Sequence, residues 1–263
     1  MAPIKAIVNG VSGKMGQEVL AALCRASDID PVGGADVNSI SSTLDLPDGS
    51  GSIPISSSLD DIIGHAQVVI DFTNGDGATS AMRTSAINKV NIVVGSTGIP
   101  ETMLKEANSL AHEHDIGILI APNFAMGAVL MTHLAKLSSR FFDYADLTEM
   151  HHEGKIDAPS GTALSIAKAA VTGKGSPFKL PKTEKELVAG TRGGTIDGVT
   201  IHSARMPGRI AHHELVFGAL GQTLSIRHDS INRESFMPGV LMAIRHVVKS
   251  SGLVIGLETI MGL

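Results

Sequence analysis

Ile4-Lys5-Ala6-Ile7-Val8-Asn9-Gly10-Val11-Ser12-Gly13-Lys14-Met15-Gly16 is the stretch on which the reading of the fold turns. It begins as a short apolar run, passes into a glycine-rich turn, and is followed by Val19, Leu20 and Leu23 at helical spacing. Strand, glycine turn and helix are the three parts of a dinucleotide site. Gly10 permits the tight turn, Gly13 lets the backbone approach a pyrophosphate, and Gly16 lets the helix pack closely on the strand. The spacing is Gly-x-x-Gly-x-x-Gly, with Ser12 where the usual fingerprint has its middle glycine. A second apolar run, residues 31–35, ends in Asp36, twenty positions after Gly16. An acid there accepts hydrogen bonds from the adenosine ribose hydroxyls. Val37 follows it, so no arginine stands beside it to pair with a 2′-phosphate. That favours NADH, while Lys14 keeps NADPH possible.

Downstream the same alternation continues. Residues 38–58, rich in Ser, Gly, Pro and Asp, read as a mobile surface loop. A short helix at 59–64 leads to a strand at Val68–Asp71, and Phe72-Thr73-Asn74 opens a helix to Ala86. A strand at Asn91–Val94 ends in Gly95-Ser96-Thr97-Gly98, and a helix to His114 precedes a strand at 116–120 ending in Ala121-Pro122-Asn123-Phe124. Strands separated by helices imply a Rossmann-like, doubly wound parallel α/β sheet. Ligands of such sheets bind beyond the carboxyl ends of the strands, so Phe72, Thr73, the 95–97 turn and residues 121–124 are predicted to line a nicotinamide pocket.

The pattern changes near Ala125. Residues 127–142 read as an amphipathic helix with Val129, Leu130, Leu134 and Leu137 buried. Strands at 199–204, 215–220 and 223–228 with few helices between them point to a mixed or antiparallel sheet in an α+β domain. Residues 172–194 look irregular, and 235–249 resume a helical pattern. The expected domains are therefore 1–124 for the dinucleotide, 125–233 for substrate and assembly, and 234–263 returning to the first.

Composition narrows the function. A net charge of −5 without a Lys/Arg-rich block, and no Trp, one Tyr and seven Phe as stacking platforms, argue against nucleic acid. The sole cysteine, Cys24, sits in a predicted helix and excludes an internal disulfide and thiol-based aldehyde dehydrogenase chemistry. No apolar stretch approaches the roughly 18–20 residues of a membrane span, so a cytoplasmic protein is expected.

The densest chemistry lies at 149–164, Glu-Met-His-His-Glu-Gly-Lys-Ile-Asp-Ala-Pro-Ser-Gly-Thr-Ala-Leu. Ser160, as an N-cap, with Gly161 and Thr162 opens a helix whose free N–H groups and positive dipole end suit a carboxylate or phosphate. Lys155, His151 and His152 add charge and protons. Adjacent strand residues face opposite ways, so both histidines serve one site only if the strand ends there, as Gly154 allows. His212-His213-Glu214 echoes His151-His152-Glu153, but sequence neighbours make poor tetrahedral ligands; no metal site is expected, and His212 and His213 are read as structural strand residues.

Taken together, Gly10–Gly16, Asp71-Phe72-Thr73, Gly95-Ser96-Thr97-Gly98, Ala121-Pro122-Asn123-Phe124 and His151-His152-x-x-Lys155-x-Asp157-Ala158-Pro159-Ser160-Gly161-Thr162-Ala163 resemble the dihydrodipicolinate reductase family, the 4-hydroxy-tetrahydrodipicolinate reductases of lysine synthesis. The resemblance runs nearly end to end and includes residues 203–208 and 221–233. It implies a cytoplasmic homotetramer that reduces a small cyclic imine dicarboxylate with NAD(P)H, its second sheet forming the tetramer core and its two domains closing on each other. Position by position it implies that His151 handles a proton and Lys155 donates a second. Substrate carboxylates fall to His152, Gly161 and Thr162. Nucleotide contacts fall to Gly10, Val11, Ser12, Gly13, Lys14, Met15, Asp36, Gly95, Ser96, Thr97, Ala121, Pro122, Asn123 and Phe124. Two other classes stay open at this level: a dinucleotide-sensing regulator without catalysis, and a histidine-ligated metal hydrolase.

Overall fold

The structure, a computed structural model, describes residues 2–263. The chain divides into two compact units, one of residues up to Phe124 with Phe236–Gly262, the other of Ala125–Ser235.

The first unit begins with β1 (Ile4–Asn9), α1 (Lys14–Arg25), β2 (Ile29–Ala35), β3 (Thr43–Asp45) and β4 (Ser52–Ser56). It continues through β5 (Val68–Asp71), α2 (Gly75–Ile87), β6 (Asn91–Val94), α3 (Glu101–His114) and β7 (Gly117–Ile120). Its eight-stranded sheet runs β13-β7-β6-β5-β1-β2-β4-β3, where β13 is Gly252–Ile255 from the far end of the chain. All neighbours are parallel except β3 and β4. β5 and β7 are buried at every residue, which is why they read as unbroken apolar runs rather than alternating ones. Register decides where the loops go. Asn9 pairs with Asp71, Asp71 with Val94 and Val94 with Ile120, so the four strands end in one row. The turns that begin at Gly10, Phe72, Gly95 and Ala121 therefore gather at a single sheet edge.

Three sequence expectations need correction here. Residues 38–58 are not one irregular loop: they carry β3 and β4, and β4 joins the main sheet through Gly34↔Ile55 and Ala35↔Ser56. Ile53 and Ile55 are buried in alternation with exposed neighbours, a period-two signal diluted by the serines around it. The predicted helix at 59–64 is two short 3₁₀ turns, Leu59–Asp61 and Ile63–His65. The C-terminal segment holds more than the expected helix: α6 (Met237–Val247) is followed by β13, which pairs with β7, and by α7 (Leu257–Met261).

The second unit comprises α4 (Met126–Ser138), β8 (Tyr144–His151), α5 (Gly161–Lys174), β9 (Gly194–Ile196), β10 (Val199–Arg205), β11 (Ala211–Ala219) and β12 (Gln222–Ser230). Its sheet runs β12-β11-β8-β10-β9, with β8 and β10 parallel and the other pairs antiparallel. One face packs Leu147, Leu215, Phe217 and Ile201 against α4 and α5. The expected buried face of α4 is wrong in part: Leu130, Leu134 and Leu137 are exposed, while Ala128, Val129, Met131 and Ala135 are buried. The cause is close helix packing. A β-carbon on Gly173 of α5 would lie 1.9 Å from the Lys136 carbonyl oxygen, so the two backbones nearly touch and only small side chains fit between them.

Candidate active site

In the first unit the glycine turn has the shape its sequence requires. Gly10 adopts φ +81°, and a β-carbon on Gly16 would fall 2.1 Å from the Gly10 carbonyl oxygen, so α1 can dock on β1 only with glycine there. Gly13 is the N-cap of α1 and provides no side-chain cap, while Ser12, Gly13 and Lys14 are exposed. The helix start thus offers free N–H groups to an anion, with Val11 buried beneath and Met15 half-buried. Asp36 follows β2 and accepts hydrogen bonds from Ser12 N (3.1 Å) and Asn38 N (3.0 Å), which ties it to that turn. These residues fit a dinucleotide.

Asp71 connects the neighbouring turns. It is fully buried at the end of β5 and accepts from Asn9 Nδ2 (2.7 Å), Thr73 Oγ1 (3.0 Å) and Ser96 Oγ (2.5 Å). Three loop starts are thereby fixed to one carboxyl group. Burial raises its pKa above the ordinary aspartate value, and the three donors only partly offset that. Phe72 packs against Phe124 with centroids 5.7 Å apart, and a β-carbon on Gly95 would lie 2.2 Å from the Phe72 ring. α6 holds this corner in place, since Gly239 lies close beneath the Phe124 carbonyl. Thr97 and Pro122 are exposed, Asn123 is half-buried and Ala121 is buried.

In the second unit the 149–164 stretch folds as strand, turn and helix. β8 ends at His151, which is buried, whereas His152 lies just outside the strand and is exposed. The two rings therefore have different surroundings. Lys155 N donates to the His152 carbonyl (3.2 Å), and Lys155 Nζ pairs with Asp157 Oδ1 at 2.8 Å. α5 then starts at Gly161 with Ser160 as N-cap, its hydroxyl accepting from Ala163 N at 3.1 Å. Gly161 is exposed and Thr162 half-buried, so this first turn is open to an anion.

Beneath the turn lies a group of charged and polar side chains. Glu149 is fully buried and divides its carboxylate between His151 Nδ1 and Arg205 Nη2, the latter at 2.8 Å. Burial alone would raise its pKa; hydrogen bonds from His151, Arg205 and Ser203 outweigh that and lower it to about 2. Arg205 also donates to the Asp157 carbonyl (2.7 Å) and so holds the 152–159 turn onto β10. His213, on β11, meets Ser160 Oγ through Nε2 at 3.2 Å and stands edge-on to the His151 ring, centroids 5.4 Å apart. Burial, then repulsion from His151, lowers its pKa to about 4, so it is neutral at pH 7. Glu149, His151 and His213 bring donor atoms within 4.8 Å of one another, and the Glu149 carboxylate already carries the Arg205 guanidinium on its other oxygen.

Asp71, Glu149, Arg205 and His213 are the members that sequence reasoning passed over. Glu149 was legible in principle: an acid two residues before His151 on a strand shares its face. Arg205 and His213 come from β10 and β11, and no local spacing announces them. His213, read as a plain strand residue, instead touches the N-cap of α5.

The family model for "Dihydrodipicolinate reductase, N-terminus" matches residues 4–124, and that for "Dihydrodipicolinate reductase, C-terminus" matches residues 127–261. A curated 4-hydroxy-tetrahydrodipicolinate reductase of Dehalococcoides mccartyi is 47% identical over 265 residues, with 100% of both chains covered. One from Moorella thermoacetica is 39% identical over 99% of both. Among solved structures, dipicolinate-bound dihydrodipicolinate reductase from Paenisporosarcina sp. TG-14 superposes with a TM-score of 0.87 at 36% identity, covering 98% of this chain and 99% of that one. An amine dehydrogenase from Mycobacterium smegmatis, at 16% identity and a TM-score of 0.65, shares the fold.

Proposed function

The chain belongs to the dihydrodipicolinate reductase family, and from that premise we propose how its residues divide the work. The reaction is reduction of 4-hydroxy-tetrahydrodipicolinate, by way of dihydrodipicolinate, to tetrahydrodipicolinate, a step of lysine and diaminopimelate synthesis. When bound, NAD(P)H supplies the hydride. The residues proposed to hold it are the 10–15 turn, Asp36, Phe72, Thr73, the 95–97 turn and residues 121–124. The α1 start takes the pyrophosphate and Asp36 the ribose hydroxyls. Val37, beside Asp36, offers no positive charge, so NADH is the preferred form, with Lys14 the group through which NADPH is accepted. Neither the non-catalytic regulator nor the metal hydrolase is supported by the relatives.

The observation that carries the substrate assignment is the open first turn of α5 beside the buried Glu149–His151 pair. Ser160, Gly161 and Thr162 receive one carboxylate of the cyclic imine at the helix start; Lys155 and His152 receive charge at the other. Drawing electron density toward these donors makes the ring a better hydride acceptor. His151 delivers a proton to the reduced ring, with Lys155 as second donor, a contribution typically worth about 10²–10⁴-fold in rate. We also infer a cytoplasmic homotetramer. The sheet face of the second unit turned away from α4 and α5 carries Thr148, Met150 and Val216 half-exposed, which suits burial against other copies. Among the described residues no helix is long and apolar enough to cross a membrane.

The test is nicotinamide oxidation followed by absorbance, with substrate generated in place from pyruvate and aspartate semialdehyde. Turnover with both cofactors and a lower KM for NADH is the expected result. Turnover absent with both would reject the substrate reading, and a lower KM for NADPH would reject the cofactor preference.

A further inference from the structure

We infer that Glu149 is a positioning residue of the proton step: it fixes the His151 ring through Nδ1–H and leaves Nε2 as the atom that hands over the proton. The inference rests on the reading of His151 as proton donor. Glu149 and His151 are two apart on β8, so the pleat places both side chains on one face. The carboxylate meets His151 Nδ1 with one oxygen and Arg205 Nη2 with the other, at 2.8 Å. A carboxylate bound to a guanidinium stays ionised and can only accept, so the proton shared with Nδ1 belongs to the ring. Nε2 is then the remaining proton site. The pairing fixes the ring's orientation and its tautomer. The proton leaves Nε2 for the substrate ring, His151 becomes neutral, and water restores the proton.

Charged and titratable neighbours come from every packed strand. From β10, Arg205 faces the pair, but its charge is directed to Glu149 and to the Asp157 carbonyl at 2.7 Å. From β11, His213 stands 5.4 Å away, centroid to centroid, and is bound to Ser160. Glu149 is thus the one anion that the described contacts place on the His151 ring. Arg205 has a separable task, since it also tethers the 152–159 turn; Arg205→Met is expected to act on substrate KM, and loss of Glu149 on the proton step.

The experiment labels the full chain with ¹⁵N-histidine and follows ring nitrogens against pH in wild type, Glu149→Gln and Glu149→Asp, alongside the pH profile of kcat. In wild type, neutral His151 is expected to carry its proton on Nδ1. Glu149→Gln, whose amide can donate as well as accept, is expected to relax that preference into a mixture of Nδ1–H and Nε2–H rings and to lower kcat about tenfold or more. Its KM for NADH should stay near wild type, and Glu149→Asp should recover part of the tautomer preference and of kcat. A wild-type proton on Nε2, or a tautomer and kcat unmoved in Glu149→Gln, overturns the inference. A tautomer that changes while kcat does not would overturn the role of His151 and leave the pairing standing. The wild-type tautomer needs no substitution, so it decides the matter even if Glu149→Gln does not fold.

Discussion

His213 shows how one buried side chain links stability to the site. It is 2% exposed, bonded to the N-cap hydroxyl of α5, and its pKa is lowered from 6.5 to about 4 by burial and by His151. Its folded-state pKa lies below the unfolded one, so the unfolded chain binds a proton more readily between about pH 6.5 and 4. Stability from this residue is therefore full above pH 6.5 and is lost as pH falls through that window, by on the order of 3 kcal/mol when titration is complete. Urea midpoints measured across the window should fall with pH in wild type. His213→Gln, which can still bond Ser160 but does not titrate, should flatten that slope; an unchanged slope would show that another group is responsible. Asp71 makes a related point in the first unit, where a buried carboxyl group gathers the starts of three turns.

At the scale of elements, the α4–α5 contact is the sharpest case of packing by absence. Gly173 lies so close to the Lys136 carbonyl that a methyl group cannot enter without moving backbone, since the interfering atom is not a flexible side chain. Gly173→Ala should therefore destabilise the chain by roughly 2–3 kcal/mol in urea unfolding. Leu137→Ala on the exposed side should cost no more than about 1 kcal/mol; a larger loss there would restore the leucines to the core. Here sequence reading had its clearest failure. Hydrophobic periodicity picks out Leu130, Leu134 and Leu137, but a helix that docks by backbone approach buries Ala128 and Ala135 instead. Where apolar runs are long or alternation is undiluted, as at Ile4–Asn9, Val68–Asp71 and Asn91–Val94, the sequence marks the strands to the residue. Short β3 and β4 among serines carry too few apolar positions to register. The buried cluster follows the same rule: Glu149 and His151 stand two apart on one strand, while Arg205 and His213 reach them through strand pairing.

For the whole molecule, the proposed function puts hydride delivery in the unit with the parallel sheet and substrate holding and proton transfer in the unit with the mixed one. Each unit has its own core, and the chain re-enters the first through α6 and β13 after completing the second. Such a division predicts separable losses: a change in the proton machinery should leave nucleotide affinity alone. The most direct measurement compares wild type with His151→Gln and Lys155→Ala, reading NADH dissociation constants by nicotinamide fluorescence and kcat by NADH oxidation with substrate formed in place. The expected result is kcat reduced about 10²–10⁴-fold in each variant with NADH affinity close to wild type. Either variant turning over at the wild-type rate would contradict it.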